Sequence, residues 1–466
     1  MNGKLIYAVP VAGFIGFFLF HTQIVSSQTF QSTSRAHDPG VRGGDPGAGD
    51  PIAGLTATEL AFFKAGKDEF EEADGVEEGL GPTMNLDSCG GCHFQPAIGG
   101  SSPKVNPQVA LATAEGASNS VPSFISANGP VREARFVKNA DGTPDGGVHA
   151  LFTISGRSDA PGCKLAQPSF EREIADHNVI FRIPTPVFGA GLIEQIPDAA
   201  ILANLASGAA QKRELGVRGR ANFAISGRTI SGQTNNNGND GTVARFGWKA
   251  QNKSLLLFSG EAYNVEIGIT SELFQTERDE TSSCQFATVP NAITNTAGGT
   301  PVDVASAIEK FAFFQRFLAP PAQSADKPGG SHSIGRGRTL FTSIGCALCH
   351  TPMMRTGNST VAALRHRIVN LYSDLLIHDM GPGLADGVSQ GQAGPREFRT
   401  APLWGLGQRI FFLHDGRTSD LLVAIEQHRS GGNRDGEGSE ANRIIVNFNS
   451  LTENQKQDIL NFLRSL

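Results

Sequence analysis

Two short stretches, Cys89-Gly90-Gly91-Cys92-His93 and Cys346-Ala347-Leu348-Cys349-His350, share the spacing Cys-x-x-Cys-His. That spacing is the attachment pattern of c-type haem. Two thiols add across the two vinyl groups of one porphyrin, so they must lie about one turn apart, and the adjacent His falls under the iron. With 6 Cys and 11 His in 466 residues, chance gives roughly 0.002 such matches. Two occur. A zinc knuckle or redox Cys-x-x-Cys followed by His is the bland alternative, but no further paired Cys completes a zinc tetrahedron. The pattern therefore predicts two covalent c-type haems on Cys89, Cys92, Cys346 and Cys349, with His93 and His350 as proximal ligands.

The remaining bulk properties narrow the class. A chain of 466 residues holds two or three domains with real cores. A net charge of −6 argues against a nucleic-acid partner and gives no membrane-surface signal. Glycine supplies 56 residues, above the usual ~7%, which suits a tightly turned chain around cofactors; the 30 Phe exclude disorder. Lys4 precedes an uncharged apolar run over 5–20, and Val25-Ser26-Ser27 offers small residues for cleavage. This predicts a signal peptide over 1–27 and a periplasmic protein. An uncleaved anchor is the alternative, and the one route to a membrane. In an oxidising compartment Cys163 and Cys284 either form a disulfide or stand as two buried thiols.

In chain order, 28–54 reads as a flexible Gly/Ser/Asp/Pro lead. Thr56-x-x-Glu59 is a capping box opening a helix with Leu60, Phe63 and Phe70 on one face. Leu340, Phe341 and Ile344 mark a matching helix before the second haem motif. Between them, 148–154 has strand composition, and Pro197-Asp198 opens a helix. A helix follows through 255–258, and 304–318 is amphipathic. The last helix, 452–466, is expected to cross the pre-haem helix. The reading is a mainly α protein with two cytochrome c-like haem domains and a long, loop-rich, partly β insertion after the first haem motif. The N-terminal haem domain spans 55–320 with its insertion at about 134–310, and the C-terminal one spans 321–466.

Two further signatures follow the second haem motif. One is the stretch from Tyr372 to His378-Asp379-Met380-Gly381. The other runs from Phe398-Arg399-Thr400-Ala401-Pro402-Leu403-Trp404 to His414-Asp415-Gly416-Arg417. With the two haem motifs, the chain resembles the bacterial di-haem cytochrome c peroxidase superfamily, which includes the methylamine-utilisation maturation enzyme. Within it, the chain is similar to the di-haem oxidoreductase family also labelled thiol oxidoreductase. The resemblance covers about 55–466.

In that superfamily a residue fourteen places after the His of His-Asp-Gly binds the C-terminal haem iron from the far side. Here that residue is His428, so the resemblance implies a His350/His428 haem. A second imidazole gives a low-spin iron of lower potential than Met would. His378 and Met380 are the competitors, while Met353 and Met354 sit too near the proximal side. No His lies between His93 and His149, so the first iron is five-coordinate or bound by water or His149. The resemblance implies that this open haem uses a small-molecule oxidant. The C-terminal haem takes electrons from a small donor protein such as a cytochrome c or cupredoxin. Arg132, Glu133 and Arg135 are the acid/base and polarising candidates, with Gln108 and Glu194 beside them. Surface salt bridges or propionate contacts are their bland reading. A Trp between haems relays electrons in the superfamily, and Trp404 has a better claim than Trp248 because it lies in the matched motif. The resemblance also implies a calcium between the domains, whose backbone ligands leave no sequence signature. Three functions compete: a peroxidase-type oxidoreductase, a pure electron carrier, and an enzyme that oxidises thiols or modifies a partner protein.

Overall fold

Two helix crossings organise the chain. Thr56 opens the helix Ala57–Glu71: its hydroxyl accepts from the Glu59 amide at 3.3 Å, and the Glu59 carboxylate accepts from the Thr56 amide at 2.7 Å. This helix lies against Ala307–Phe317, which Ser306 and Glu309 cap in the same way. Gly66 permits the crossing, since a Cβ there would stand 2.2 Å from the Lys310 carbonyl oxygen. Phe70 meets Phe314 at 4.8 Å, and Tyr263 of the helix Leu255–Ile267 meets Phe311 at 4.9 Å. The second crossing joins Gly330–Ser343 to Glu453–Arg464. Gly337 sits there, with a Cβ position 2.0 Å from the Asp458 carbonyl oxygen.

The computed structural model describes residues 35–466 apart from 85, 146, 150–152, 231–232, 235–238, 276–280, 287–304, 324–325 and 433–436. The expected signal segment, 1–27, lies outside the described residues. Among the described residues, no helix is long and apolar enough to cross a membrane. The architecture is mostly helical with small sheets. The largest has three antiparallel strands, Val148–His149, Glu133–Phe136 and Val179–Arg182, in that order. Its register places Glu133 opposite Arg182 and Ala134 opposite His149. The strand expected over 148–154 forms at Val148–His149; residues 150–152 lie outside the described residues, as does the side chain of His149.

Two expectations are corrected. Residues 35–54 are not a flexible lead. Asp38 pairs with Arg464, 426 residues later, at 2.6 Å, and the Arg42 amide donates to the Gly407 carbonyl at 2.9 Å. Polar composition suggested a tether, but these charges have partners at the far end of the chain. The boundary at 320/321 is also crossed by a shared core, in which Ile193, Leu255 and Ala312 pack with Leu364, Leu371 and Leu375. Among the described residues of the Pro/Gly run, Pro328 and Gly329 form a turn into the helix Gly330–Ser343. Cys163 and Cys284 form a disulfide, closing 121 residues of chain beside Val76 and Ala160.

Candidate haem centres

Each Cys-x-x-Cys-His stretch folds at one wall of a cavity. At the first, Cys89–Cys92 is a short helical turn, and the His93 ring Nδ1 bonds the Gly100 carbonyl at 3.1 Å. At the second, the His350 Nδ1 bonds the Tyr372 carbonyl at 3.0 Å. These bonds assign the proton to Nδ1 and leave Nε2 as the donor to a metal. A phenylalanine edge flanks each ring, Phe70 at 5.8 Å from His93 and Phe341 at 6.3 Å from His350. Burial pushes both imidazoles down to about 4, so both are neutral at neutral pH. Burial also raises the four thiols, Cys346 to about 12. Thiols of this kind are poor redox nucleophiles.

The C-terminal cavity, counted with its open mouth, spans about 1370 Å³ and is lined by Phe341, Leu403, Phe412, Ile444 and Phe448 around its imidazoles. His428 follows the helix Leu421–Glu426, which Asp420 caps on the Leu422 amide at 2.7 Å. Its Nδ1 bonds the Ala424 carbonyl at 2.8 Å, so its Nε2 too is free for a metal. His428 and His350 line the same cavity. His378 does not compete: its Nε2 bonds Asp374 at 3.0 Å and its Nδ1 bonds Glu440 at 2.8 Å. Met380 lines the cavity, whereas Met353 is exposed and Met354 lies in the core.

The N-terminal cavity, counted with its open mouth, spans about 1020 Å³ and has a polar wall. Glu133 and Arg135 form an ion pair of 2.7 Å there, and Gln108 joins them. Arg132 also lines it, its Nε donating to the Asp415 carbonyl at 2.9 Å. Glu194 is elsewhere, holding Arg316 at 2.8 Å and the Leu255 amide at 2.9 Å. Two further carboxylates, Glu261 and Glu266, reach the cavity from the helix Leu255–Ile267; the sequence singled out neither. Glu266 keeps open surface toward the cavity, yet the walls shield it from bulk water, and this burial, with Glu133 nearby, pushes its carboxyl up to about 8. Among the described residues, His93 is the one imidazole lining this cavity.

Trp248 lines both cavities, with its Nε1 donating to the Ile183 carbonyl at 2.9 Å. Trp404 lines neither, and instead walls a small chamber with Pro186, Phe188, Arg399 and Arg409. Of the two indoles, it is therefore Trp248 that lies at the wall shared by both cavities. A fully buried ion triad stands beside it, Arg182 to Asp386 at 2.5 Å and Lys249 to Asp386 at 3.0 Å. The Lys249 ammonium also lies 4.1 Å from the Phe398 ring centroid, and Phe398 stacks on His414 at 4.4 Å. Among the described residues, one cluster has three potential metal ligands within reach of each other, Cys349, Asp374 and His378. A thiol and an imidazole do not suit calcium, which takes oxygen ligands.

Residues 133–466 match the protein family described as "di-haem oxidoreductase, putative peroxidase". The chain belongs to this family. The match includes the second haem motif and both later signatures, and it begins after Cys89–His93. This di-haem oxidoreductase matches no curated protein. A solved structure of hydrazine synthase from Kuenenia stuttgartiensis is similar over 36% of this chain and 56% of its own, at 18% identity and a TM-score of 0.21. The chain thus spans a little over half the length of that structure. For this family the donor sets fit haem: each cavity holds two thiols beside a neutral imidazole whose Nδ1 is held by a backbone carbonyl.

Proposed function

We propose that this di-haem oxidoreductase is a periplasmic enzyme of peroxidase type, with electrons entering on the C-terminal side and used in the N-terminal cavity. Its haems are c-type, attached through Cys89 and Cys92 and through Cys346 and Cys349. One observation carries the reading. The C-terminal cavity presents two imidazoles whose Nδ1 is held by a backbone carbonyl, His350 and His428, while the described wall of the N-terminal cavity presents only His93. Two nitrogen ligands fill an iron, and one leaves a position for an oxidant.

When bound, haem supplies an iron that changes oxidation state and binds a small oxygen ligand. Around the open position the chain supplies protons. Reducing a peroxide to two waters takes two electrons and two protons. Glu266, protonated at neutral pH, holds one proton at its carboxyl. Arg135 and Gln108 add N–H groups at the same wall, and Glu133 fixes Arg135. Trp248 bridges the two cavities with an aromatic ring. Electrons come from a small donor protein such as a cytochrome c or cupredoxin. The thiol-oxidising alternative finds little support: the motif cysteines are claimed, and Cys163 and Cys284 are already bonded.

The test is electron paramagnetic resonance of the oxidised protein with and without cyanide, repeated in the half-reduced form. One low-spin and one cyanide-sensitive centre are expected. Two low-spin centres inert to cyanide in both states would leave an electron carrier instead.

A further inference from the structure

Among the described residues, five buried arginines hold a carboxylate. Arg135 meets Glu133, Arg157 meets Asp159, Arg182 meets Asp386, Arg245 meets Asp198 and Arg464 meets Asp38. Arg42, also buried, donates to the Leu466 carbonyl instead, and the half-buried Arg399 and Arg409 differ from all of these in facing the C-terminal cavity. Both also line the small chamber beside Trp248, and neither lines the N-terminal cavity. Among the described residues, neither has a carboxylate within ion-pair distance. Arg399 spends its Nε on the Gly247 carbonyl at 2.9 Å and its Nη1 on the Thr400 carbonyl at 3.4 Å. Its own amide donates to the Trp248 carbonyl at 2.8 Å, so the residue is anchored to the segment shared by the two cavities.

Two guanidiniums on the wall of a mainly apolar cavity, with no carboxylate in ion-pair reach, carry a large desolvation cost. They remain cationic. Burial lowers each to about 10, with Arg409 adding to the effect on Arg399, and this still leaves both charged at neutral pH. The missing partner must be anionic, must match two planar forks, and must enter with the apolar occupant of the cavity.

We propose that Arg399 and Arg409 clamp the two propionate carboxylates of the haem attached at Cys346 and Cys349. This rests on the reading of that cavity as a haem site. The clamp sets which edge of the cofactor faces the chamber beside Trp248. It also places two positive charges at that edge, and such charges favour the reduced iron.

The experiment uses the full-length holoprotein and the variants Arg399→Gln, Arg409→Gln and Arg409→Lys, with the exposed Arg172→Gln as control. Haem stoichiometry is measured first, by intact mass and a pyridine haemochrome spectrum. The propionate-bending bands in resonance Raman and the potential of the low-spin haem are then compared. Both Gln variants are expected to keep two haems, shift the propionate band and lower that potential. Arg409→Lys, which keeps the charge but loses the fork, should shift the band and hold the potential near wild type; it stands in if the Gln variants do not fold. The control should change neither. Unchanged bands and potential in variants with two haems would overturn the clamp alone. A wild-type potential that moves with added phosphate or chloride, with unshifted bands in the variants, would overturn it in favour of a free anion. Wild-type protein with no haem on Cys346 and Cys349 would overturn both the clamp and the reading beneath it.

Discussion

His428 is placed by one hydrogen bond. Its Nδ1 is held 2.8 Å from the Ala424 carbonyl, one turn back, which leaves Nε2 for the cavity it shares with His350. His428→Ala should convert the C-terminal haem from low to high spin and move its potential, read by electron paramagnetic resonance and redox titration. An unchanged low-spin signal would pass the role to another residue, with Met380 next in line. Glu266 carries a second prediction. Its carboxyl, raised to about 8 by burial, is protonated below that value and gives up its proton as pH rises through it. Peroxidase activity that needs this proton should fall on the alkaline side, and Glu266→Gln should lower the rate by ~10²–10⁴ and remove that limb. A persisting limb assigns the proton elsewhere. Sequence pointed to Glu133 because charge clusters there with Arg132 and Arg135. Glu266 was hidden because it lies on a helix whose other faces are core, and nothing in one helix tells which cavity it borders.

At the scale of elements, the capping boxes at Thr56, Ser306 and Thr452 set helix starts, and the first could be read directly from Thr56 and Glu59. Crossings were less legible. Gly66 and Gly337 look like weak points in their helices, yet each admits a partner's backbone. Gly337→Ala should cost about 1–3 kcal/mol, because the Asp458 carbonyl cannot move without its helix. Equilibrium denaturation measures this, and a neutral result would mean that the crossing relaxes freely. The Arg182–Asp386–Lys249 triad was invisible in the sequence, since its members are joined only by folding. Burial alone would raise the Asp386 carboxyl, but Arg182 and Lys249 outweigh it and hold it below its ordinary value. Its contribution is therefore complete above the unfolded pKa of ~3.9 and is lost as pH falls through the lower folded value. Asp386→Asn leaves two buried cations and should cost about 3–5 kcal/mol at neutral pH. The difference from wild type should shrink in acid below pH ~3.9. A gap that stays constant into that range would contradict the assignment.

The whole molecule departs furthest from the sequence reading. Two haem motifs, each behind its own helix, suggest two cytochromes joined by a linker at 320/321. Locally that image holds, for each His has its carbonyl partner and its phenylalanine edge. The apolar residues between those features tell another story. Leu364, Leu371 and Leu375 from the C-terminal part pack on Ile193, Leu255 and Ala312 from before the boundary. Asp38 and Arg42, from the start of the described chain, bind Arg464 and Gly407 near its end. Periodicity shows that a residue is apolar, not which segment will cover it. A fragment of residues 321–466 should therefore fail as an independent domain. Cutting there exposes the inner faces of three fully buried leucines, each contributing on the order of 1.5–3 kcal/mol when covered. A domain of this size has only about 5–15 kcal/mol to lose. The fragment, expressed with the haem-attachment machinery, should bind a dye for exposed apolar surface and unfold without a cooperative transition. Full-length protein should unfold cooperatively and bind none. A monomeric fragment with a sharp transition and a His350/His428 low-spin spectrum would restore the two-domain picture, with the crossing core reduced to an interface between independent units.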